Sequence, residues 1–226
     1  MAFRIKICGI TEAAQVEGIA AGGADAIGLN FVPTSKRRVT RGQAREICAA
    51  TPAGILKVGV FANAPLSEMV ECLEKLPLDL VQLHGAETLD AYQELARAIG
   101  AERIVRALPW GASHEAERSA FLSLVRYTGL TPAALLLDSA AGKQFGGTGL
   151  SLPWDELSQW NQRPSDIPLI LAGGLKPSNI AEAIAQVRPH GVDVAGGVES
   201  SPGIKDLELV KAFCLAARGA SERPLT

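Results

Sequence analysis

Short runs of Val, Ile, Leu and Ala recur along the chain, and stretches with a helical spacing of apolar positions separate them. Runs that are almost uninterrupted in aliphatic residues are typical of parallel strands that are covered on both faces. The pattern predicts eight strands, at Phe3–Cys8, Ala26–Phe31, Ile55–Phe61, Leu80–His84, Ile104–Leu108, Ala134–Asp138, Leu169–Ala172 and Val192–Ala195.

Four of the intervening segments carry an apolar stripe with the spacing of a helix face. The stripes are formed by Leu66, Met69, Val70 and Leu73; by Tyr92, Leu95, Ala96 and Ile99; by Ile180, Ile184 and Val187; and by Leu207, Val210, Cys214 and Ala217. Because each stripe lies between two predicted strands or after the last one, we expect helices that pack on a sheet.

The repetition of strand and helix predicts the fold class. Eight strands in 226 residues correspond to about 28 residues per unit, which is the usual size of a β/α repeat. An open doubly wound sheet is the competing architecture, but the chain has no nucleotide-binding fingerprint. We therefore expect an α/β single-domain (β/α)8 TIM barrel over residues 1–217. Residues 218–226, where the periodicity stops, are expected to form a frayed tail.

Charge and cysteine usage exclude several classes of protein. Lys and Arg number 22 against 24 Asp and Glu, a net charge of -2, which does not favour nucleic-acid binding. No apolar stretch approaches the length of a membrane span, and Arg4 and Lys6 interrupt the only N-terminal apolar run, so no signal peptide is expected. The four cysteines form no C-x-x-C pair and the three histidines are far apart. We therefore expect no zinc site and a reducing cytoplasm.

Three polar residues stand at the carboxyl ends of predicted strands, where (β/α)8 barrels place their chemistry. Cys8 ends the first strand, His84 the fourth, and Asp138 the sixth, directly after three leucines. A thiol and a carboxyl that face one cavity supply a base and an acid. The alternatives are a thiol that only fills space and a carboxyl that only anchors a loop. His84 is expected to form hydrogen bonds at the rim.

Glycines and cations complete the predicted rim. Gly173 and Gly174 follow the seventh strand, and Gly196 and Gly197 follow the eighth. Two such pairs in this region indicate a phosphate site made of backbone N–H groups. The glycine-rich segment 139–149 either closes over a ligand or is merely a long connection. The cations at 36–38 are either a solvated run or an anion clamp, because an Arg fork matches a carboxylate.

These motifs together resemble the phosphoribosylanthranilate isomerase family, in the family's order and over nearly the whole chain. They are Lys6-Ile-Cys-Gly-Ile-Thr11, Ser35-Lys-Arg-Arg-Val39, Val58-Gly-Val-Phe61, Val81-Gln-Leu-His-Gly85, Leu136-Leu-Asp138, Gly146-Gly-Thr-Gly149, Ala172-Gly-Gly-Leu175, Gly191-Val-Asp-Val194 and Gly197-Val-Glu-Ser-Ser-Pro-Gly-Ile-Lys-Asp206. The chain departs from many members at Leu152-Pro153-Trp154, where they have Phe-Asp-Trp. It also departs at Gly196-Gly197, where they have Ser-Gly.

The resemblance implies a cofactor-free barrel that catalyses an Amadori rearrangement in tryptophan biosynthesis. N-(5-phosphoribosyl)anthranilate would become 1-(2-carboxyphenylamino)-1-deoxyribulose 5-phosphate. Asp138 would protonate the furanose ring oxygen, Cys8 would remove the C2′ proton as a thiolate, and Arg37 would hold the anthranilate carboxylate. His84 would be a further substrate contact, and the phosphate would bind Gly173, Gly174, Gly196 and Gly197. The expected partner is a small phosphosugar, with no metal, nucleic acid or membrane. A monomer and a homodimer both fit.

Three other functions compete with this one. The histidine-pathway isomerase catalyses the same type of reaction with two carboxylates, and Cys8 argues against it. A metal-dependent sugar-phosphate epimerase needs several His and Asp ligands at the rim, where only His84 is available. A non-catalytic phospholigand-binding barrel would not need both Cys8 and Asp138.

Strand geometry predicts an ion pair inside the barrel. Side chains two residues apart share a face of a strand, so Lys6 faces the interior if Cys8 does. Arg106 and Asp193 interrupt aliphatic runs as well and are expected to point inward. Closure makes the first and eighth strands neighbours, so Lys6 and Asp193 are predicted to pair just below Cys8. Such a pair either favours the Cys8 thiolate or only neutralises the interior.

Overall fold

The computed structural model describes residues 3–138, 153–160 and 166–221, and within them eight parallel strands close into a barrel. The strands are β1 (Ile5–Cys8), β2 (Ala26–Asn30), β3 (Leu56–Phe61), β4 (Leu80–Leu83), β5 (Ile104–Pro109), β6 (Ala134–Asp138), β7 (Leu169–Leu171) and β8 (Gly191–Val194). Each strand pairs with its neighbours in chain order, and β1 pairs with both β2 and β8. The predicted TIM barrel is confirmed, and the open doubly wound sheet was the wrong alternative.

Helices surround the barrel in the expected alternation. They are α1 (Val16–Ala21), α2 (Arg41–Ala50), α3 (Leu66–Lys75), α4 (Leu89–Ile99), α5 (Glu115–Thr128), α6 (Trp154–Ser158), α7 (Ile180–Val187) and α8 (Leu207–Ser221). The four predicted apolar stripes lie on α3, α4, α7 and α8. Local signals set the ends: Thr40 and Gln43 form a capping box at the start of α2, and Gly100, with φ +90°, ends α4. In the described part of the chain, no helix has the length and apolar character that a membrane span requires.

Two separate apolar clusters show which way each strand faces. The larger cluster joins strand residues to residues of the helices, so it fills the layer between barrel and helices. The smaller cluster holds Phe3 and strand residues only, among them Ala26, Val58, Leu80 and Ile170, and it fills the barrel interior. Because strand side chains alternate, the residues at even positions of β1, β2, β4 and β6 point inward.

The alternation confirms one interior prediction and corrects another. Ile5 and Ile7 lie in the outer layer, so Lys6 points inward, and its register partner on β8 is Asp193. Arg106 does not point inward: Val105 and Ala107 occupy the interior, which leaves Arg106 in the outer layer. Its guanidinium there binds the carboxylate of Glu87, in the loop that follows β4. All six positions of β5 are buried, so no alternation of apolar and polar residues reveals which of its side chains point inward.

The last helix is longer than the periodicity predicts. The tail is predicted to begin at Arg218, whereas α8 continues to Ser221. Arg218 donates to the Gly23 carbonyl over 2.7 Å and to Asp25 Oδ1 over 2.8 Å. These bonds hold the final turn against the loop before β2. Residues 222–226 lie outside the described residues.

Candidate active site

Cys8 is the last residue of β1, and its side chain is half-buried at the mouth of the barrel. Gly28 on the neighbouring strand makes room for it. A Cβ at Gly28 would lie 2.7 Å from Cys8 Sγ and 3.1 Å from Lys6 Cε. The thiol and the lysine stem therefore share a space that exists because β2 carries no side chain at this level.

A buried ion pair lies one layer below the thiol, as predicted. Lys6 Nζ donates to Asp193 Oδ1 over 2.9 Å, and the lysine side chain is completely buried. Burial alone lowers the pKa of Lys6, but the negative charges of Asp193 and Cys8 outweigh it and hold that pKa above its ordinary value. The ammonium is therefore charged in the barrel interior at neutral pH.

Two opposing effects act on the Cys8 thiol. Burial raises its pKa, and the Lys6 ammonium lowers it through its charge and a hydrogen bond; burial is the larger effect, so the pKa stands above the ordinary value. A thiolate formed here is a strong base that depends on the nearby ammonium. Cys48, Cys72 and Cys214 are buried on helices, and burial raises the pKa of Cys48 and Cys214 to about 11.

Asp138 ends β6 across the barrel, and His84 stands beside it. His84 Nε2 lies 3.2 Å from Asp138 Oδ2, while His84 Nδ1 lies 2.7 Å from the side-chain nitrogen of Gln82. The carboxyl group and the imidazole thus belong to one hydrogen-bonded group. His84 was predicted from its strand end, whereas Gln82 was not singled out, although its place two residues earlier on the same inward face could have identified it.

Arg37 is held over the mouth by Glu199. Its Nε donates to Glu199 Oε1 over 2.8 Å and its Nη2 to Oε2 over 2.7 Å, which is a bidentate fork. The stem lies against Gly9, where a Cβ would be 2.4 Å from Arg37 Cδ. Arg37 is half-buried while Lys36 and Arg38 are exposed, so only the middle cation of this run reaches the site.

Glu199 is the centre of a charged cluster that sequence reasoning missed. It begins a hairpin of β9 (Glu199–Ser201) and β10 (Ile204–Lys205) after β8. Lys205 Nζ donates to Glu199 Oε1 over 2.6 Å and to the Ala195 carbonyl over 3.2 Å. Burial raises the pKa of Glu199, but Arg37 and Lys205 outweigh it and keep that pKa below the ordinary value. A Glu two residues after a Gly-Gly turn was the available signal.

The two Gly-Gly turns meet at the mouth, where a Cβ at Gly196 would lie 3.3 Å from Arg37 Nη2. Gly173 and Gly174 have φ +84° and +63°, a conformation that favours glycine. A Cβ at Gly197 would lie 1.9 Å from the Leu175 carbonyl oxygen, so the two turns pack backbone on backbone. Within the described residues, the N–H groups of Gly173, Gly174, Gly196 and Gly197 donate to no protein atom. Four such donors in one place suit an anion.

Some predicted features lie outside the described residues. The glycine-rich segment 139–149 and the departure at Leu152 fall there. Among the residues that the structure does describe, no three His, Cys, Asp or Glu side chains converge in a way that would hold a metal ion.

A closed barrel with a thiol, a carboxyl and an anion cradle at the carboxyl ends of its strands belongs to the class of (β/α)8 enzymes. Within that class, residues 5–216 match the model of the N-(5'phosphoribosyl)anthranilate (PRA) isomerase family. The chain therefore belongs to this family, as its motifs indicated.

Curated relatives and solved structures agree with the family model. The N-(5'-phosphoribosyl)anthranilate isomerase of Pseudomonas savastanoi pv. phaseolicola is 44% identical over 220 residues, which cover 96% of this chain and 98% of the relative. That of Gloeothece citriformis is 41% identical over 209 residues, 92% of this chain and 90% of the relative. The phosphoribosyl anthranilate isomerase structure from Thermotoga maritima has a TM-score of 0.81 and 34% identity, covering 96% of this chain and 99% of the other.

A second solved structure shows what one relative binds. It is a phosphoribosyl anthranilate isomerase in complex with reduced 1-(o-carboxyphenylamino)-1-deoxyribulose 5-phosphate, with a TM-score of 0.79 and 32% identity, covering 96% of this chain and 99% of the other.

Proposed function

We propose that the chain converts N-(5-phosphoribosyl)anthranilate into 1-(2-carboxyphenylamino)-1-deoxyribulose 5-phosphate in tryptophan biosynthesis, with Asp138 as the acid and Cys8 as the base. The observation that carries the proposal is the placement of these two groups. Each is the last residue of its strand and points inward, so both groups lie at the same end of the barrel. The Lys6 ammonium lies one layer below the thiol. The family to which the chain belongs supports the reaction.

The first step opens the sugar ring. The Asp138 carboxyl group gives its proton to the furanose ring oxygen, the bond from C1′ to that oxygen breaks, and the nitrogen lone pair forms a C1′=N Schiff base. Asp138 is left as a carboxylate. His84, 3.2 Å away, stabilises that charge if its Nε2 carries the proton.

The second step moves a proton from carbon. The Cys8 thiolate takes the C2′ proton, the C–H electrons form a C1′=C2′ double bond, and the C=N electrons return to nitrogen. The resulting enolamine loses its O–H proton and gains one at C1′, which gives the ketone. The buried Lys6 charge, which lowers the pKa of the thiol, favours the thiolate that this step requires.

The charged ends of the substrate match the remaining groups. Glu199 takes the Nε–Nη2 edge of Arg37, which leaves the Nη1–Nη2 edge of the guanidinium for the anthranilate carboxylate. Arg37 thus remains the proposed carboxylate clamp, held in place by Glu199. The four free glycine N–H groups bind the phosphate, as anions bind at such turns.

The ligand, the cellular location and the oligomeric state of the enzyme are part of the same proposal. The ligand is a small phosphosugar, and the enzyme works in the cytoplasm as a monomer or a homodimer. One solved relative, from Thermotoga maritima, concerns monomers generated from a dimeric phosphoribosylanthranilate isomerase, so both states occur for one barrel of this family.

Turnover of phosphoribosylanthranilate by the purified protein tests the proposal. Cys8→Ser and Asp138→Asn should each lower kcat by roughly 10²–10⁴-fold, the usual contribution of one positioned proton-transfer group. Cys48→Ser and Asp90→Asn are matched controls in buried and exposed helix positions and should keep kcat. Treatment with EDTA should change nothing, because no step uses a metal. Near-normal turnover by either site variant, with circular dichroism showing an intact fold, would remove that residue from its role.

A further inference from the structure

Gln82 is a polar residue buried where the fold does not require one. It lies on the inward face of β4, between Leu80 below and His84 above, and it is completely buried. Its Nε2 meets His84 Nδ1 at 2.7 Å, but its Oε1 has no hydrogen-bond partner in the described structure. An unpaired buried amide oxygen costs about 1–3 kcal/mol. Because this cost lowers the stability of the fold, the burial of the Gln82 amide needs an explanation other than stability.

The hydrogen-bond network assigns the tautomer of His84. A carboxylate oxygen accepts, so Asp138 Oδ2, 3.2 Å away, calls for a proton on His84 Nε2. In the neutral imidazole Nδ1 is then the acceptor, and the Gln82 amide nitrogen, 2.7 Å from it, is the donor that matches. The donors thus run from Gln82 to His84 to Asp138.

We propose that Gln82 is a positioning residue that acts through His84 on the acid of the reaction. The inference rests on the proposed function, in which Asp138 gives up a proton. With the proton on Nε2, His84 donates to Oδ2 of the Asp138 carboxylate. It also stabilises the carboxylate that remains, and it cannot take the Asp138 proton itself. In the other tautomer, the bare Nε2 would compete with the substrate for that proton.

The charged groups at the mouth are not placed to act on His84 as Gln82 does. The strands beside β4 present Val58 and Val60 from β3 and Ala107 and Pro109 from β5 to the interior. Leu136 of β6 and the β7 residues that face inward are also apolar. Among the described residues, the titratable groups that face the mouth lie on other elements: Lys6 and Cys8 on β1, Asp193 on β8, Arg37 after β2, and Glu199 and Lys205 in the hairpin.

Gln82→Met tests the inference, because it keeps the size of the side chain and removes both polar groups. Stability to thermal unfolding should be unchanged or higher, since an unpaired buried oxygen is lost. We expect kcat to fall about 10-fold, the worth of one hydrogen bond, with KM little changed. The alkaline limb of the kcat/KM profile should move to higher pH, because the Asp138 carboxylate loses stabilisation. Leu80→Met, one layer below on the same face, is the control and should leave the profile in place.

Two further measurements separate this role from packing. In the His84→Ala background, Gln82→Met should have no further effect on kcat, because its action passes through the imidazole. The nitrogen chemical shifts of His84, one of three histidines, should show the Nε2–H tautomer in the wild type and a mixture in Gln82→Met.

The outcomes distinguish this inference from the proposed function. If the wild type turns over and Asp138→Asn does not, an unchanged kcat and alkaline limb in Gln82→Met overturn the inference alone. Additive losses in the double variant, or an Nδ1–H tautomer in the wild type, overturn it as well. If the wild type does not turn over phosphoribosylanthranilate, the proposed function itself fails.

Discussion

The guanidinium of Arg37 has two of its three nitrogens on Glu199, so its position over the mouth depends on a second side chain. Arg37→Ala should raise KM by roughly 10-fold or more, as expected for a lost charge-assisted bond. Arg37→Lys should recover little, because an ammonium cannot bind Glu199 in a fork and reach a ligand at once. Steady-state kinetics over a range of substrate concentrations measures both.

The neighbouring cation supplies the control for Arg37. Arg38 is exposed, so Arg38→Ala should leave KM near the wild-type value. Equal sensitivity at the two positions would mean that the run acts only as a diffuse positive surface.

If the Lys6 ammonium takes part in the reaction, its removal should change the pKa of the Cys8 thiol measurably. The ammonium lowers the pKa of Cys8 more than Asp193 raises it. In Lys6→Met combined with Asp193→Asn, which leaves no unpaired buried charge, that pKa should rise. Activity depends on the thiolate, which exists above the thiol pKa, so the acidic limb of kcat/KM should move to higher pH. An acidic limb that stays in place would leave the pair a structural role only.

Residues differ in how well the sequence predicted their orientation. Lys6 was placed correctly because Cys8 at the strand end fixes the parity of β1, and Asp193 followed from closure. Arg106 was placed on the wrong face because every neighbour in its strand is apolar, so no alternation shows which face is which. Glu199 and Lys205 were missed because they lie in a hairpin, where neither period 2 nor period 3.6 applies.

At the scale of elements, Glu87 joins the loops after β3 and β4 to the neighbouring strand β5. Its carboxylate accepts from Asn63 N after β3 over 2.9 Å and from Gly85 N after β4 over 3.0 Å, and it binds Arg106 on β5. The side chains of both Glu87 and Arg106 are about 3–4% exposed, so this pair is withdrawn from water. The link holds the loop that follows His84.

Glu87→Ala should therefore be strongly destabilising. Removing Glu87 leaves the buried Arg106 guanidinium with the partly exposed Glu117 carboxylate, 3.7 Å away, as its ion-pair partner. Breaking a buried pair in this way costs on the order of 3–5 kcal/mol. Urea unfolding of the variant, beside Glu94→Ala at an exposed position of the adjacent helix α4, measures the loss. A difference between these variants below about 1 kcal/mol, the worth of an exposed pair, would show that water reaches the link.

The elements themselves were predictable where periodicity is strong. The helices α3, α4, α7 and α8 fall where their stripes predicted them. Strand ends were predicted one or two residues too long at several places, as at Phe3, because a residue can be apolar and inward-facing without pairing in the ladder. The hairpin of β9 and β10 was not predicted, since its short strands are half polar.

At the scale of the molecule, the first and last strands of the barrel, β1 and β8, meet in its wall. β1 lies between β2 and β8, and the ion pair of Lys6 and Asp193 spans that seam in the interior. The proposed base, Cys8, stands on one strand of this seam, and the proposed acid, Asp138, stands on β6. Closure therefore forms the site as well as the fold.

This seam has a consequence for the newly made chain. Lys6 and Asp193 are separated by 187 residues, so at about 5–20 residues per second Asp193 is added roughly 10–40 s after Lys6. During that time Asp193 is not available to the Lys6 ammonium. The ion pair, and the enclosed surroundings that it shares with the Cys8 thiol, can therefore form only after the last strand of the barrel has been synthesised.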